Sequence, residues 1–212
     1  MLIVGRPASG IVVDGFIDPI GHRGHLLPRF RFEDVRVPLE NVLGPVGGAR
    51  DIVNASFSGT AALVGVFAVG VMRAAFDYAL NFARVEHRGG AVPIIEHQAV
   101  GYALADAKMA IETARALSWS ACQAYDLKSQ GAFELALHSK VFCSETAINV
   151  ITDLMKVVGI ESYDSAVPLS RLLQDALAFP LFDGGNMGVR RRQLHQLISS
   201  PSYDPFCAAD IR

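Results

Sequence analysis

The hydrophobic pattern changes period near residue 50. Before that point apolar residues come in short runs cut by turn residues. Leu2-Ile3-Val4 is ended by Gly5, Pro7 and Gly10, and Ile11-Val12-Val13 follows. Arg29 to Val37 alternates as a strand with one buried face does. Pro38, Gly44, Pro45 and Gly47-Gly48 then break the pattern. From about Arg50 the spacing becomes helical. The first predicted helix runs to about Glu86, where the loop from Arg88 to Pro93 stops it. A second spans about Glu96 to Lys128, with Val100, Leu104, Ala107 and Ile111 forming one stripe. Gly131 separates it from a third, about Ala132 to Val158, which Gly159 closes. Two shorter helices follow, Pro168 to Phe179 and Gly184 to Ser199, and residues 201–212 read as a loose tail.

This order predicts a mainly α fold: an antiparallel helical bundle preceded by a few β-strands, with the division at residues 1–47 and 48–212. So few strands bury too little to stand alone. The chain is therefore expected to begin inside a larger body: either a partner covers these strands or the sequence is part of a longer protein.

Composition narrows the function. A hydrophobic share of 51% is too rich for disorder. A net charge of -2 argues against nucleic acid, whose binders carry a basic excess or stripe. The one dense basic run, Arg190-Arg191-Arg192, reads by default as a solvated helix face. Three widely spaced cysteines, Cys122, Cys143 and Cys207, suit a reducing compartment better than a disulfide framework. Residues 1–6 do not resemble a secretion signal, and a cytoplasmic location is expected, with mitochondrion and peroxisome as alternatives. The longest uncharged apolar run, Ala61 to Met72, has twelve residues, fewer than a bilayer requires, and no membrane partner is expected. The histidines His22, His25, His87, His138 and His195 lack ligand spacing, and no metal is expected.

The most informative segment runs from Phe182 to Arg190. Asp183 precedes Gly184 and Gly185 at an expected helix start, and glycines there let a flat cofactor or a substrate approach the backbone. Free N–H groups at a helix start favour negative charge. Arg190 lies seven residues on, nearly two turns, so both side chains are expected on one face, with the arginine holding Asp183 ionised. A sheltered carboxylate of this kind can act as a general base. The plainer reading makes Asp183 an N-cap and Arg190 a surface charge.

Across the chain, these residues resemble the acyl-CoA dehydrogenase superfamily. Phe32 to Gly44 is similar to the segment by which those enzymes leave their middle β-domain, and Ile95 to Val100 with Leu104-Ala105-Asp106 resembles the start of their second bundle helix. Gly159 stands 24 residues before Asp183, the family's spacing between its glycine turn and its carboxylate. The family's N-terminal helical domain and most of its β-domain have no counterpart in this sequence.

The superfamily's dehydrogenases carry glutamate where this chain has Asp183. Aspartate there, with Pro180 to Asn186, Ala61 to Gly65, and Arg88-Gly89-Gly90 before Ile94 to Gln98, resembles the nitroalkane oxidase branch. The resemblance implies FAD as cofactor and a small-molecule substrate. It implies that Asp183 takes the α-proton of a neutral nitroalkane and that the carbanion attacks flavin N5. Nitrite then leaves, and oxygen restores the flavin with release of peroxide. Arg190 would orient the base, and Thr60 stands where the relatives place a serine bonded to it. Arg88 would contact the pyrophosphate of a neighbouring subunit's FAD. Gln98, Gly159, Gly184 and Gly185 complete the implied cofactor residues, while His97 is structural. Lys156 stands where the family often has glutamine, which alters the adenine-side contact. The family's habit implies a homo-oligomer, dimer or tetramer.

Aspartate is one methylene shorter than glutamate, and a misplacement of about 1 Å costs about a hundredfold in rate. A nitroalkane, small and more acidic at carbon, suits that shorter base. Two other readings stay open. One is a dehydrogenase of acyl-CoA thioesters that tolerates Asp183. The other is a non-catalytic fragment or interaction module whose bare bundle would expose apolar surface.

Overall fold

The computed structural model describes residues 1–206 and Ala208. The chain forms two compact units, Met1–Phe57 and Ser58–Arg212.

The first unit holds an antiparallel pair, β1 (Ile11–Ile17) and β2 (Leu27–Phe32), in the register Ile11 opposite Phe32 through Ile17 opposite Leu27. A bulge between Val13 and Gly15 interrupts it. Leu2 makes only an isolated bridge, to Val42, rather than the expected strand. The strand expected over Arg29 to Val37 stops at Phe32: the Glu33 amide still donates to the Gly10 carbonyl at 2.8 Å, but Asp34 turns left-handed at φ 49° and leaves the extended conformation. Arg31 ties the pair together through Asp14 at 2.9 Å, while Phe16, Phe30 and Phe32 stay exposed.

The helices follow the predicted period more closely than the predicted boundaries. Helix α1 (Ala49–Val85) has 37 residues, about 55 Å at 1.5 Å per residue. By length and composition it is long and apolar enough to cross a membrane, which the twelve-residue run within it did not suggest. Its alanine stripe, Ala61, Ala68, Ala75, Ala79 and Ala83, is fully buried. Such small side chains let neighbouring helices approach closely. Helix α2 (Gln98–Asp126) buries Leu104, Ala107 and Ile111 of the predicted stripe in the same cluster as Ala68 and Ala75, with Ala114 beside them, while Val100 is only partly buried. The expected third helix is a single helical run of three parts: α3 (Ala132–His138), a π-helical turn (Ser139–Cys143) and α4 (Ser144–Val158). It ends at Gly159, whose φ of 75° is the left-handed stop the glycine predicts. Helix α5 (Pro168–Ala176) opens on a proline, the residue whose missing N–H is least costly there. Helix α6 (Arg191–Ile198) is preceded by a second π-helical turn, Asn186–Arg190.

The larger core cluster is drawn from α1, α2, α4 and α5, with Met72, Ile111, Ile151, Leu154, Leu169 and Phe179 among its largest members, and a smaller one gathers Ala61, Ala62, Ala121, Ala124, Leu135 and Ala136. The tail is not wholly loose: the Tyr203 hydroxyl donates to Glu134 at 2.7 Å. Cys207 and residues 209–212 lie outside the described residues.

Candidate functional site

Helix α5 ends at Ala176, and Pro180 lies in the turns that follow. Two left-handed residues then reverse the chain, Asp183 at φ 52° and Gly184 at φ 81°. Aspartate is one of the few side chains that tolerate this region. The Asn186 amide donates to the Pro180 carbonyl at 2.8 Å and closes the loop. The helix therefore begins at Asn186 rather than Gly184, and its first turn is π-helical, with the Arg190 amide donating to the Gly185 carbonyl at 3.3 Å. Asp183 and Arg190 do not meet as residues two α-turns apart. They meet because the arginine folds back over the loop.

That contact is extensive. Arg190 Nε and Nη2 donate to the Asp183 carbonyl at 3.0 and 2.7 Å, and Nη2 also reaches Oδ2 at 3.1 Å. Thr60 of α1 donates to the other carboxylate oxygen, Oδ1, at 2.7 Å. The Arg190 side chain is 1% exposed and that of Asp183 9%. The solvated-face reading of the basic triplet fails for Arg190, which is buried, and Arg191 is engaged as well, pairing with Glu145 at 2.6 Å. The bond to Arg191 holds the Glu145 carboxyl below its ordinary range.

The close approach expected at the glycines is present, but the chain's own arginines make it. A Cβ at Gly184 would meet Arg190 Nε at 3.1 Å, and one at Gly159 would meet Arg88 Nη2 at 2.9 Å. Arg88 lies at φ 50° and donates to the Val158 carbonyl and to Glu161 Oε2, the latter at 2.9 Å, with its guanidinium over the Phe82 ring. A Cβ at Gly185 would lie 3.3 Å from the Leu181 carbonyl. Gln98 is exposed at the start of α2 and donates to the Tyr102 hydroxyl one turn on. Lys156 pairs with Asp153 at 2.7 Å on the wall of a groove of 540 Å³ between α2 and α4, lined also by Asp106 and Asn149. Thr60, Asp183 and Arg190 thus form one cluster, and Arg88 and Gly159 a second. Among the described residues no group of three or more His, Cys, Asp or Glu gathers as metal ligands would.

Behind the carboxylate lies a polar layer that sequence reasoning missed. Lys140, fully buried, donates to the Phe179 carbonyl and to Asn186 Oδ1, the latter at 3.1 Å. Asn186 Nδ2 donates to Ser144 Oγ at 2.9 Å and Glu145 Oε1 at 3.1 Å. Burial pushes the Lys140 ammonium down to about 8, against the attraction of Asp183. One signal could have exposed it. Leu137, Lys140, Ser144, Ala147, Ile151, Leu154 and Val158 alternate three and four apart, so the lysine occupies a core position.

The helical order, the left-handed glycine at the end of α4 and the buried aspartate–arginine pair define the class. The chain belongs to the acyl-CoA dehydrogenase family, whose C-terminal domain matches residues 47–198. Within that family it is similar to the nitroalkane oxidase of Podospora anserina, with 48% identity over 191 residues, 87% of this chain and 44% of that one. The nitroalkane oxidase of Fusarium oxysporum is 40% identical over 192 residues, again 87% and 44%. The solved Podospora anserina enzyme superimposes with a TM-score of 0.91 at 44% identity, covering 94% of this chain and 48% of that one. The chain thus spans less than half the length of these relatives.

Proposed function

We propose that the protein is an FAD-dependent oxidase of nitroalkanes in which Asp183 removes the α-proton of the neutral substrate. One observation carries this reading: both oxygens of a sheltered aspartate are oriented, one by Thr60 and one by Arg190. An ionised carboxylate offers about four acceptor sites, and these two bonds leave others for a substrate proton. Holding the base in one pose shortens the search for a reactive geometry. The likeness to nitroalkane oxidases, together with aspartate in place of the dehydrogenases' glutamate, favours a small carbon acid over a thioester.

The residues fit a flavin dinucleotide. Arg88 is 38% exposed beside Gly159, and its guanidinium, bonded to Glu161, would exchange that carboxylate for a pyrophosphate, which it suits by forked, charge-assisted bonds. Gln98 adds an exposed amide at the start of α2. FAD, when bound, accepts the electron pair of the deprotonated carbon and passes it to dioxygen, so that with water the products are aldehyde or ketone, nitrite and peroxide. Asp183 takes the proton. Thr60 and Arg190 keep the carboxylate aimed. The exposed Tyr102, Met109 and Trp119 on α2 support a homo-oligomer, since aromatic residues and methionine are enriched in interfaces.

The test is anaerobic flavin absorbance. Protein loaded with FAD and given neutral nitroethane is expected to bleach, and Asp183→Asn is expected to abolish the bleaching. Bound flavin that nitroethane leaves oxidised, but that an acyl-CoA thioester reduces, would replace this reading with a dehydrogenase.

A further inference from the structure

We infer that Lys140 is a positioning residue for Asp183, clamping both flanks of the loop that carries the carboxylate. This rests on the proposed role of Asp183 as base. The loop leaves Phe179 and rejoins the helix at Asn186, and a single ammonium bonds to both residues, through the Phe179 carbonyl and Asn186 Oδ1. The same group lies 5.6 Å from the centre of the Phe182 ring, which immediately precedes Asp183. Asn186 is held in turn by Ser144 and Glu145, so the clamp is anchored in α4.

Two features point to a purpose beyond packing. First, the acceptors that Lys140 bonds are uncharged, and taking an ammonium from water for neutral partners is unfavourable. Asp183 and Glu145 attract the ammonium and Arg190 repels it, so it shares the field of the site. Secondly, the loop holds Asp183 and Gly184 both left-handed, a conformation that aspartate tolerates but that its surroundings must help to keep. Arg190 and Thr60 grip the carboxylate itself, and Lys140 fixes the backbone beneath it.

Lys140→Met keeps the stem and removes the donor. In FAD-loaded protein at pH 7, anaerobic flavin reduction is measured with neutral nitroethane and with preformed ethyl nitronate, which has already lost its α-proton and needs no base. Reduction by nitroethane is expected to fall about tenfold to a hundredfold, and reduction by nitronate to stay unchanged. In the same variant the Asn186 amide, bonded to Pro180, is expected to exchange its hydrogen faster. Equal losses with both substrates, or no loss with either, would overturn the inference. If unsubstituted protein is not reduced by nitroethane at all, the base reading fails, and amide exchange alone decides the clamp: unchanged protection in Lys140→Met refutes it. Should Lys140→Met not fold, Asn186→Leu, which cuts the same clamp from the other side, is expected to show the same split.

Discussion

Replacing Gly65 with alanine puts a methyl group where α1 has no room for one. The added Cβ would lie 2.0 Å from Ser139 Oγ and 2.6 Å from Ser118 Oγ, with Ser139 Cβ at 3.3 Å. Neither hydroxyl can retreat freely. Ser118 donates to the Ala114 carbonyl at 2.8 Å, Ser139 shares its one proton between the Ala62 carbonyl and Ser118 Oγ, each at 3.3 Å, and both are buried. Moving them strands at least one buried hydroxyl, at about 1–3 kcal/mol, and overpacking adds a similar amount, about 1–3 kcal/mol. Alanine's better helix propensity returns about 1 kcal/mol. The net expectation is a destabilisation of about 1–5 kcal/mol, read as a lower urea midpoint at unchanged slope. The contacts dictate a control. In a Ser118→Ala, Ser139→Ala background both offending oxygens are gone, and Gly65→Ala is expected to be neutral or to stabilise by up to about 1 kcal/mol. Equal damage in both backgrounds would falsify the steric reasoning. The position matters for the site as well, because Gly65 lies five residues after Thr60 on the same helix and sets how closely α1 approaches its neighbours.

Two further outcomes follow from the site. Thr60→Ala removes the 2.7 Å bond to Asp183 Oδ1, and hydrogen bonds to charged groups are worth about 1.5–3 kcal/mol. Flavin reduction by neutral nitroethane is therefore expected to slow by about tenfold to a hundredfold, with Thr60→Ser restoring it; an unimpaired Thr60→Ala refutes the role. Lys140 gives a pH signature in stability. Burial lowers the ammonium from its ordinary 10.5 to about 8, so between those values the unfolded chain holds a proton that the folded chain has released. This group's contribution to stability thus rises with pH across that window, by at most about 1.4 kcal/mol per pH unit. Denaturant titrations of the parent and of Lys140→Met are expected to show the variant's relative stability falling from pH 8 to 10.5, and a constant difference refutes the assignment.

The sequence by itself determined the long helices, because their spacing carries the period of a buried face, whereas α6 buries none of its residues. Leu104, Ala107 and Ile111 of α2 are spaced for one stripe, and they are buried together. Gly159 as the end of α4 was equally legible, since a left-handed stop there favours the residue without a Cβ. Asp183 and Arg190 stood out by residue type and by resemblance, and Thr60 by resemblance alone. How they meet was not legible. A local pattern measures neighbours along a helix, whereas the loop at Asp183 and the π-helical turn after it break that measure. The glycines announced a close approach, but only the packed chain assigned the space to Arg190 and Arg88. Lys140 was not read from its place in the stripe, and its partners Phe179 and Asn186 lie 39 and 46 residues away. Contacts of that span come from how whole helices pack, so the secondary structure could be read residue by residue while the geometry of the site was decided in three dimensions.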